Sequence, residues 1–108
     1  MTKHKRKLIQ NVLRRTLKIF GPNGEHWTRR NYRNWVGNTV QYCMLGALNR
    51  ATRSDKLYCT TCDALISEGK KQHNINFDII KFNDTRKRKF GEIRNLFQQT
   101  IKSLEKEI

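Results

Sequence analysis

Acidic residues are scarce in the first half of this sequence. Residues 1–53 contain 12 Lys or Arg residues but a single acid, Glu25. Residues 54–108 contain 11 Lys or Arg residues and eight acids, so most of the net charge of +14 comes from the first half. Solubility alone would not require this asymmetry. The charge therefore predicts a polyanionic partner: a nucleic acid, a nucleic-acid-containing complex or an acidic protein surface.

Long apolar runs and the marks of secretion are also absent. No stretch approaches the roughly 20 apolar residues that span a bilayer. The basic start resembles the charged part of a signal peptide, but Arg14, Arg15 and Lys18 interrupt the apolar segment that would have to follow. The three cysteines are odd in number, which argues against a disulfide framework. We therefore expect a cytoplasmic protein with reduced thiols and no membrane partner.

The familiar motifs of catalysis are missing as well. There is no P-loop, Gly-x-Ser-x-Gly, His-Glu-x-x-His or dinucleotide-binding glycine pattern. Asp63, Glu68 and Lys70 loosely follow a nuclease pattern, but that chemistry needs carboxylates fixed on a rigid sheet edge, and no such sheet is predicted. His26 lies beside Glu25 but has no nucleophile at a suitable spacing. We expect a protein that is not an enzyme and uses no cofactor.

A zinc site is the less favoured interpretation of the thiols. Cys59 and Cys62 have the spacing of a zinc knuckle, and His73, His26 or Cys43 could supply further ligands. However, the pair falls within a helical pattern, and a second pair is missing. Cys43 belongs to an apolar stripe and is better explained as a small buried hydrophobe.

The length and the apolar spacing predict one small helical domain. We expect a flexible basic arm at residues 1–7 and a single all-α domain at 8–108, with at most one short β-hairpin. Apolar residues at intervals of three and four predict four to five helices. These fall at about 8–20, 38–52, 54–69 and 87–107, with a short one at 75–82 for which a strand is the alternative.

The segment 38–52 is predicted to be the central core helix. It is the only long stretch with few charges, and its apolar residues recur at helical spacing. Asn38 is a suitable N-cap, and Gly46 would let a neighbouring helix approach closely. Residues 25–37 have poor periodicity and predict an ordered loop, with a short extended pair around Trp27 and Trp35.

Several landmarks resemble a family of small proteins of unknown function found in bacteriophages and in bacteria, notably actinobacteria. The resemblance covers roughly residues 10–103. It rests on Trp27-Thr28, the run Tyr42-Cys43-Met44-Leu45-Gly46-Ala47-Leu48, and Phe82-Asn83-Asp84 before a closing amphipathic helix. It implies an all-helical domain and fits a phage origin, but it brings no established activity. We expect Asn83 and Asp84 to form a turn that caps the last helix.

The candidate binding residues form two basic sets. Arginines interleaved with aromatic rings suit phosphate contacts and stacking on unpaired bases, which favours RNA or single strands. The first set runs from the amino terminus to the central helix: Lys5, Arg6, Lys7, Arg14, Arg15, Lys18, Trp27, Arg29, Arg30, Tyr32, Arg33, Trp35, Arg50 and Arg53. The second precedes the last helix: Arg86, Lys87, Arg88 and Lys89.

Two functions use these residues. The first is a small nucleic-acid-binding protein. The alternative is a phage-encoded inhibitor, such as an anti-CRISPR or another anti-defence factor, that acts in the host cytoplasm on a protein or ribonucleoprotein. Complementary charge raises association rates without naming the partner. The shape of the basic surface should discriminate: a groove with exposed tryptophan favours nucleic acid, and a flat face with buried aromatics favours a protein.

Overall fold

A computed structural model describes residues 1–106 of the chain. Within that range there are five helices and one antiparallel hairpin, which confirms the predicted fold class. In order they are α1 (Lys3–Phe20), β1 (Arg33–Val36), β2 (Thr39–Tyr42), α2 (Met44–Ala51), α3 (Asp55–Gln72), α4 (Ile79–Asp84) and α5 (Phe90–Lys106). The predicted end of the last helix, at residues 107 and 108, lies outside the described residues.

The core lies between the long helices α1, α3 and α5, with α2 packed against α1. Each helix contributes apolar residues at intervals of three and four, which form one buried stripe per helix. The fully buried members of this cluster are Ile9, Val12, Leu13, Phe20, Met44, Ala47, Leu48, Leu65, Ile93, Leu96 and Phe97. The stripe predicted for the last helix is confirmed at Ile93, Phe97 and Leu104.

The basic segment 1–7 is mostly helical, which corrects the boundary predicted at residue 8. Thr2 is the N-cap of α1, and its Oγ1 accepts from the backbone N–H of Lys5 at 3.1 Å. Arg6 is only 9% exposed, and its Nη1 donates to the carbonyl of Met1 at 2.9 Å. The predicted end at Gly21 is confirmed: this residue has φ of 86° and donates to the last carbonyls of α1.

The central segment departs most from expectation, because residues 39–42 form a strand instead of the start of a helix. β1 pairs antiparallel with β2, with Trp35 opposite Val40 and Val36 opposite Thr39. Gly37, at the first position of the two-residue loop, has φ of 61°, as hairpin turns of type II′ require. Asn38 is therefore a turn residue and not an N-cap. β-Branched side chains flank this turn and favour extended backbone.

The central helix consequently begins later, at Met44. Cys43 is its N-cap, and the thiol sulfur accepts from the N–H of Gly46 at 3.5 Å. α3 begins after Ser54, the predicted N-cap, whose Oγ accepts from the N–H of Leu57 at 3.1 Å. It continues to Gln72, past the predicted stop at Gly69. This glycine allows close packing instead, because the ring of Phe77 lies 2.5 Å from where its Cβ would be.

α4 is the predicted short helix, shifted towards the carboxyl end of its segment. Asp78 is its N-cap and accepts from the N–H of Lys81 at 3.0 Å. Asn83 and Asp84 are its last residues, so the prediction that they cap the final helix is wrong. α5 starts instead after Lys89, whose N–H donates to the carboxylate of Glu92 at 2.9 Å.

Candidate functional site

The side chain of Asn83 joins three separate segments of the chain. Its Oδ1 accepts from the indole N–H of Trp27 at 2.8 Å and from the N–H of Met44 at 3.0 Å. Its Nδ2 donates to the carbonyl of Thr28 at 3.1 Å and to Oδ1 of Asp84 at 2.9 Å. Asn83 is 2% exposed, and each donor hydrogen and acceptor lone pair of an amide has a use here. This junction fixes the loop that carries the arginines.

The loop then turns sharply at Arg30. Its backbone N–H donates to Oδ1 of Asp84 at 2.6 Å, and its φ is 68°. Positive φ is uncommon for a residue other than glycine, so the hydrogen bond helps to hold an unfavourable backbone conformation. The loop passes directly over α2, since a Cβ on Gly46 would overlap the carbonyl oxygen of Tyr32. The result is an exposed arginine at a fixed place beside α2.

A basic groove lies between this loop and the carboxyl-terminal half of α2. Its volume is about 740 Å³. It is lined by Arg30, Asn31, Tyr32, Arg33, Tyr42, Asn49 and Arg50. Three of these residues are arginines, and none of the described residues lining the groove is acidic. We call this feature the basic groove.

The hairpin extends the basic groove with an exposed aromatic surface. Arg33 and Trp35 are two residues apart on β1, so their side chains share one face of the hairpin. Trp35 is 63% exposed and Tyr32 is 52% exposed. Large aromatic side chains normally lose most of their exposure on folding, so two rings this accessible beside three arginines are an unusual arrangement.

A smaller pocket adjoins the basic groove. Its volume is about 160 Å³, and its surface is mainly apolar. It is lined by Arg30, Tyr32, Cys43, Met44, Leu45, Ile79, Ile80, Asn83 and Asp84. Arg30 and Tyr32 therefore line both the pocket and the groove. Burial, and then the nearby thiols of Cys43 and Cys62, raise the pKa of Tyr32 above its ordinary value. We call this feature the apolar pocket.

Trp27 and Arg29 were predicted to bind the partner, but the structure uses both in packing. The ring of Trp27 packs at 6.2 Å from that of Phe90, while its indole N–H is bonded to Asn83. The guanidinium of Arg29 lies 5.1 Å from the centroid of the Trp27 ring, and its Nη2 donates to the carbonyl of Arg88. Neither residue lines the basic groove.

The second predicted basic set is divided in the same way. Arg88 is held in place: its Nε donates to the carbonyl of Phe82 at 2.9 Å, and its Nη1 is 2.7 Å from Glu92. The N–H of Lys89, and then the charge of Arg88, lower the pKa of Glu92, so this carboxylate stays ionised at neutral pH. Three exposed cations remain free of such packing: Arg86, Lys87 and Lys89.

The cations of α1 lie at different distances from the basic groove. Nε of Arg15 donates to the carbonyl of Ala51, the residue after Arg50, at 3.0 Å. Arg15 is not among the residues that line the groove. Arg14 pairs at 3.7 Å with Glu105 on an exposed surface. Lys18, in the last turn of α1, and Arg53, just after α2, are exposed. The predicted contacts Lys5, Arg6 and Lys7 lie roughly 12–15 Å further along α1 from Arg15.

The thiols do not assemble a metal site with their predicted partners. Cys59 is exposed and Cys62 faces inward, where burial raises the pKa of its thiol to about 11. His73, the C-cap of α3, lies roughly 16 Å from Cys62 along the helix. Its ring stacks on Phe77 and is tilted against Phe82. Within residues 1–106, no three His, Cys, Asp or Glu side chains come together in a metal-binding arrangement.

The residues suggested by the nuclease pattern are equally dispersed. Both carboxylate oxygens of Glu68 accept within the helical bundle, from Gln72 at 2.7 Å and from Ser103. Asp63 and Lys70 are exposed on α3, and the hairpin at Arg33–Tyr42 is the one sheet in the described part of the chain.

Sequence reasoning missed several residues of the site. Tyr42, Asn31 and Asn49 line the basic groove but are absent from the predicted contacts. Asn31 lies between Arg30 and Tyr32, and Asn49 precedes Arg50, but neither side chain is charged or aromatic. Asn83 is predicted only as part of a capping turn, whereas the structure makes it a buried junction between three segments. The turn Gly37-Asn38 is the signal that could have placed Tyr42, because the hairpin pairs this residue with Arg33.

Replacing Arg30 with Gly should stabilise the protein. Glycine adopts positive φ without steric cost, so we expect the free energy of unfolding to rise by about 0.5–1 kcal/mol. Thermal melts measure this change. Arg33→Gly, in a strand, is the matched control and should lower stability. A less stable Arg30→Gly would show that contacts of this side chain outweigh the backbone strain.

The fold and the site together define a small helical domain with one β-hairpin and a basic groove lined by aromatic residues. The sequence model of a family of unknown function (DUF6197) matches residues 5–103. Because that match spans most of the chain, the protein belongs to this family. No curated protein and no solved structure matches this chain. None of the helices in residues 1–106 is both long enough and apolar enough to cross a bilayer.

Proposed function

We propose that this protein binds single-stranded nucleic acid in the basic groove and catalyses no reaction. The observation that carries the proposal is the convergence of three arginines with exposed aromatic rings. Arg30 and Arg33 come from the loop and β1, Arg50 comes from α2, and all three line one groove. The basic surface is a groove beside an exposed tryptophan and not a flat face with buried aromatics. By the criterion given above, this shape favours a nucleic-acid ligand.

The arginines would contact the phosphates. A guanidinium presents planar paired donors that match phosphate oxygens, and each contact releases condensed counterions from the nucleic acid. Arg30, Arg33 and Arg50 are exposed, so phosphates can reach their guanidinium groups from solvent. Asn31 and Asn49 add neutral donors along the same groove.

The exposed rings would contact bases. Trp35 and Tyr32 offer flat surfaces on which unpaired bases can stack, an interaction worth about 1–3 kcal/mol per base. Bases inside a duplex already stack on one another, so their faces are not available. Exposed rings therefore favour a single strand, and RNA and DNA both satisfy this requirement.

A protein partner is the second candidate. An inhibitor, encoded by a phage as the resemblance would suggest, could place the same arginines on an acidic protein surface. The exposed Trp35 and Val36 at the hairpin turn would suit such an interface. A groove is not needed for that role, so nucleic acid remains the proposal that uses more of the observed geometry.

Charge reversal in the groove tests the proposed function. Fluorescence anisotropy would compare labelled 12-nucleotide single strands of mixed sequence with the matching duplexes. For Arg33→Glu/Arg50→Glu we expect at least tenfold weaker binding of single strands at 0.1 M salt, because two phosphate contacts are lost. The log–log salt slope should fall by about 1.4. Circular dichroism would verify that helicity is unchanged.

The control is Lys70→Glu/Lys102→Glu, which makes the same charge change at exposed positions on α3 and α5. We expect it to weaken binding much less. An equal loss in both variants would place binding outside the groove. If single strands do not bind, and one protein complex is retained from host lysate after nuclease treatment, the inhibitor is the correct function.

A further inference from the structure

We propose that the apolar pocket receives one unpaired cytosine of the bound strand. This inference rests on the proposed function, because the basic groove must hold the backbone beside the pocket. Arg30 and Tyr32 line both features, so they form a shared wall between phosphate contacts and pocket. A base that leaves the stack at this point would reach the pocket without leaving the groove.

The size of the pocket fits a single-ring base. Its volume is about 160 Å³, and an apolar cavity of about 150 Å³ admits a ring the size of benzene. Met44 and Ile79 form buried aliphatic walls, and Ile80, which is 56% exposed, stands where the pocket meets solvent. Aliphatic walls suit the faces of a pyrimidine ring, and a purine would extend beyond them.

The polar group on the pocket wall selects among pyrimidines. Asp84 uses Oδ1 for both of its hydrogen bonds, from the N–H of Arg30 and from Nδ2 of Asn83. Among the described residues, Oδ2 accepts no hydrogen bond, and the amide of Asn83 is already fully used. A carboxylate oxygen can only accept, so it matches the exocyclic amino group of cytosine. Uracil would present a carbonyl oxygen at the same position.

The position of this charge supports the assignment. Asp84 is the single acid among the described residues that line the groove or the pocket. A carboxylate beside a phosphate-binding surface weakens attraction of the backbone. Holding the loop at Arg30 requires one acceptor oxygen, which a neutral asparagine would supply equally well. The second carboxylate oxygen, Oδ2, would be used when a base donates a hydrogen bond to it.

The test compares RNA nonamers that differ in one base: uridine throughout, or with cytidine, adenosine or guanosine at the fifth position. Fluorescence anisotropy gives the four affinities. We expect the cytidine nonamer to bind about fivefold more tightly than the uridine nonamer, and more tightly than either purine nonamer. Equal affinity for cytidine and uridine, or tighter binding of a purine nonamer, would overturn the assignment.

Asp84→Asn should reverse the preference. The new amide oxygen must accept from Arg30 and Asn83, so its Nδ2 takes the place of Oδ2 and becomes a donor. A donor matches the carbonyl oxygen of uracil, so we expect the uridine nonamer to bind as well as, or better than, the cytidine nonamer. Asp63→Asn makes the same charge change at an exposed position on α3 and should retain the cytidine preference. An unchanged preference in Asp84→Asn would overturn the role of Oδ2.

A second variant tests the pocket even if Asp84→Asn fails to fold. Ile80→Phe should fill the mouth of the apolar pocket from an exposed position on α4 and abolish the cytidine preference. A cytidine preference retained in this variant would overturn the pocket. The two proposals fail differently. Loss of binding in Arg33→Glu/Arg50→Glu without any base preference leaves the proposed function intact and overturns only the pocket. Absence of binding by every nonamer overturns both.

Discussion

Replacing Asn83 with Ala is expected to lower the free energy of unfolding by about 3–5 kcal/mol. The change removes four hydrogen bonds and leaves the N–H of Met44 and the indole N–H of Trp27 without the oxygen that they share. Each buried donor left unpaired costs about 1–3 kcal/mol. Equilibrium unfolding in urea would measure the loss.

The matched control is Asn11→Ala, which removes the same group from an exposed position on α1. It should change stability by less than about 0.5 kcal/mol. A loss below about 1 kcal/mol for Asn83→Ala would show that water replaces the amide, and that the junction does not hold the loop. In that case the binding geometry would need another source of rigidity.

Gly46→Ala is expected to lower the free energy of unfolding by about 2–3 kcal/mol. Alanine is the better helix former by about 1 kcal/mol, so propensity alone predicts the opposite sign. The added Cβ would overlap the carbonyl oxygen of Tyr32, a backbone atom that cannot rotate away. The loop at residues 30–33 must move, and binding of single strands should weaken with it.

Gly91→Ala is the control for this substitution, because no atom lies within 4 Å of a Cβ built on that helical glycine. It should be neutral or stabilise the protein by up to about 1 kcal/mol, and binding should not change. Similar stability of Gly46→Ala and Gly91→Ala would mean that the loop does not press on α2.

The long helices could be predicted because their signals are local. α1, α3 and α5 each carry an apolar stripe at helical spacing, and the end of α1 at Gly21 and the start of α3 at Ser54 depend on near neighbours. A capping side chain accepts from an N–H three residues away, so a short window of sequence contains the whole interaction.

The hairpin was predicted only as a general alternative because two local patterns overlap in one stretch. Val40, Met44, Ala47 and Ala51 satisfy helical spacing, although the first of them lies in β2. Two features outside the helical pattern decide the structure. The turn at Gly37 lets β1 pair with β2, and the N–H of Tyr42 donates to the carbonyl of His26 in the preceding loop at 2.7 Å. Pairing across 16 residues is not visible in a helical window.

The site was harder to predict than the fold because neighbours in sequence have different roles. Arg29 packs on Trp27, whereas Arg30 and Arg33 line the basic groove. Composition identifies both kinds as basic residues near aromatic rings. Whether an arginine packs against the protein or lines the groove depends on partners up to 59 residues away, such as the carbonyl of Arg88 that Arg29 contacts. The chemical nature of the surface was thus predictable, and the identity of its contacts was not.

The four bonds of Asn83 also bear on the speed of association. They join the loop, the start of α2 and the end of α4 before any ligand arrives. A binding site that is already ordered loses little conformational entropy on association. Because no slow rearrangement precedes docking, long-range attraction by the charge of +14 would set the rate of encounter. Discrimination between strands would then reside in how long each one stays bound.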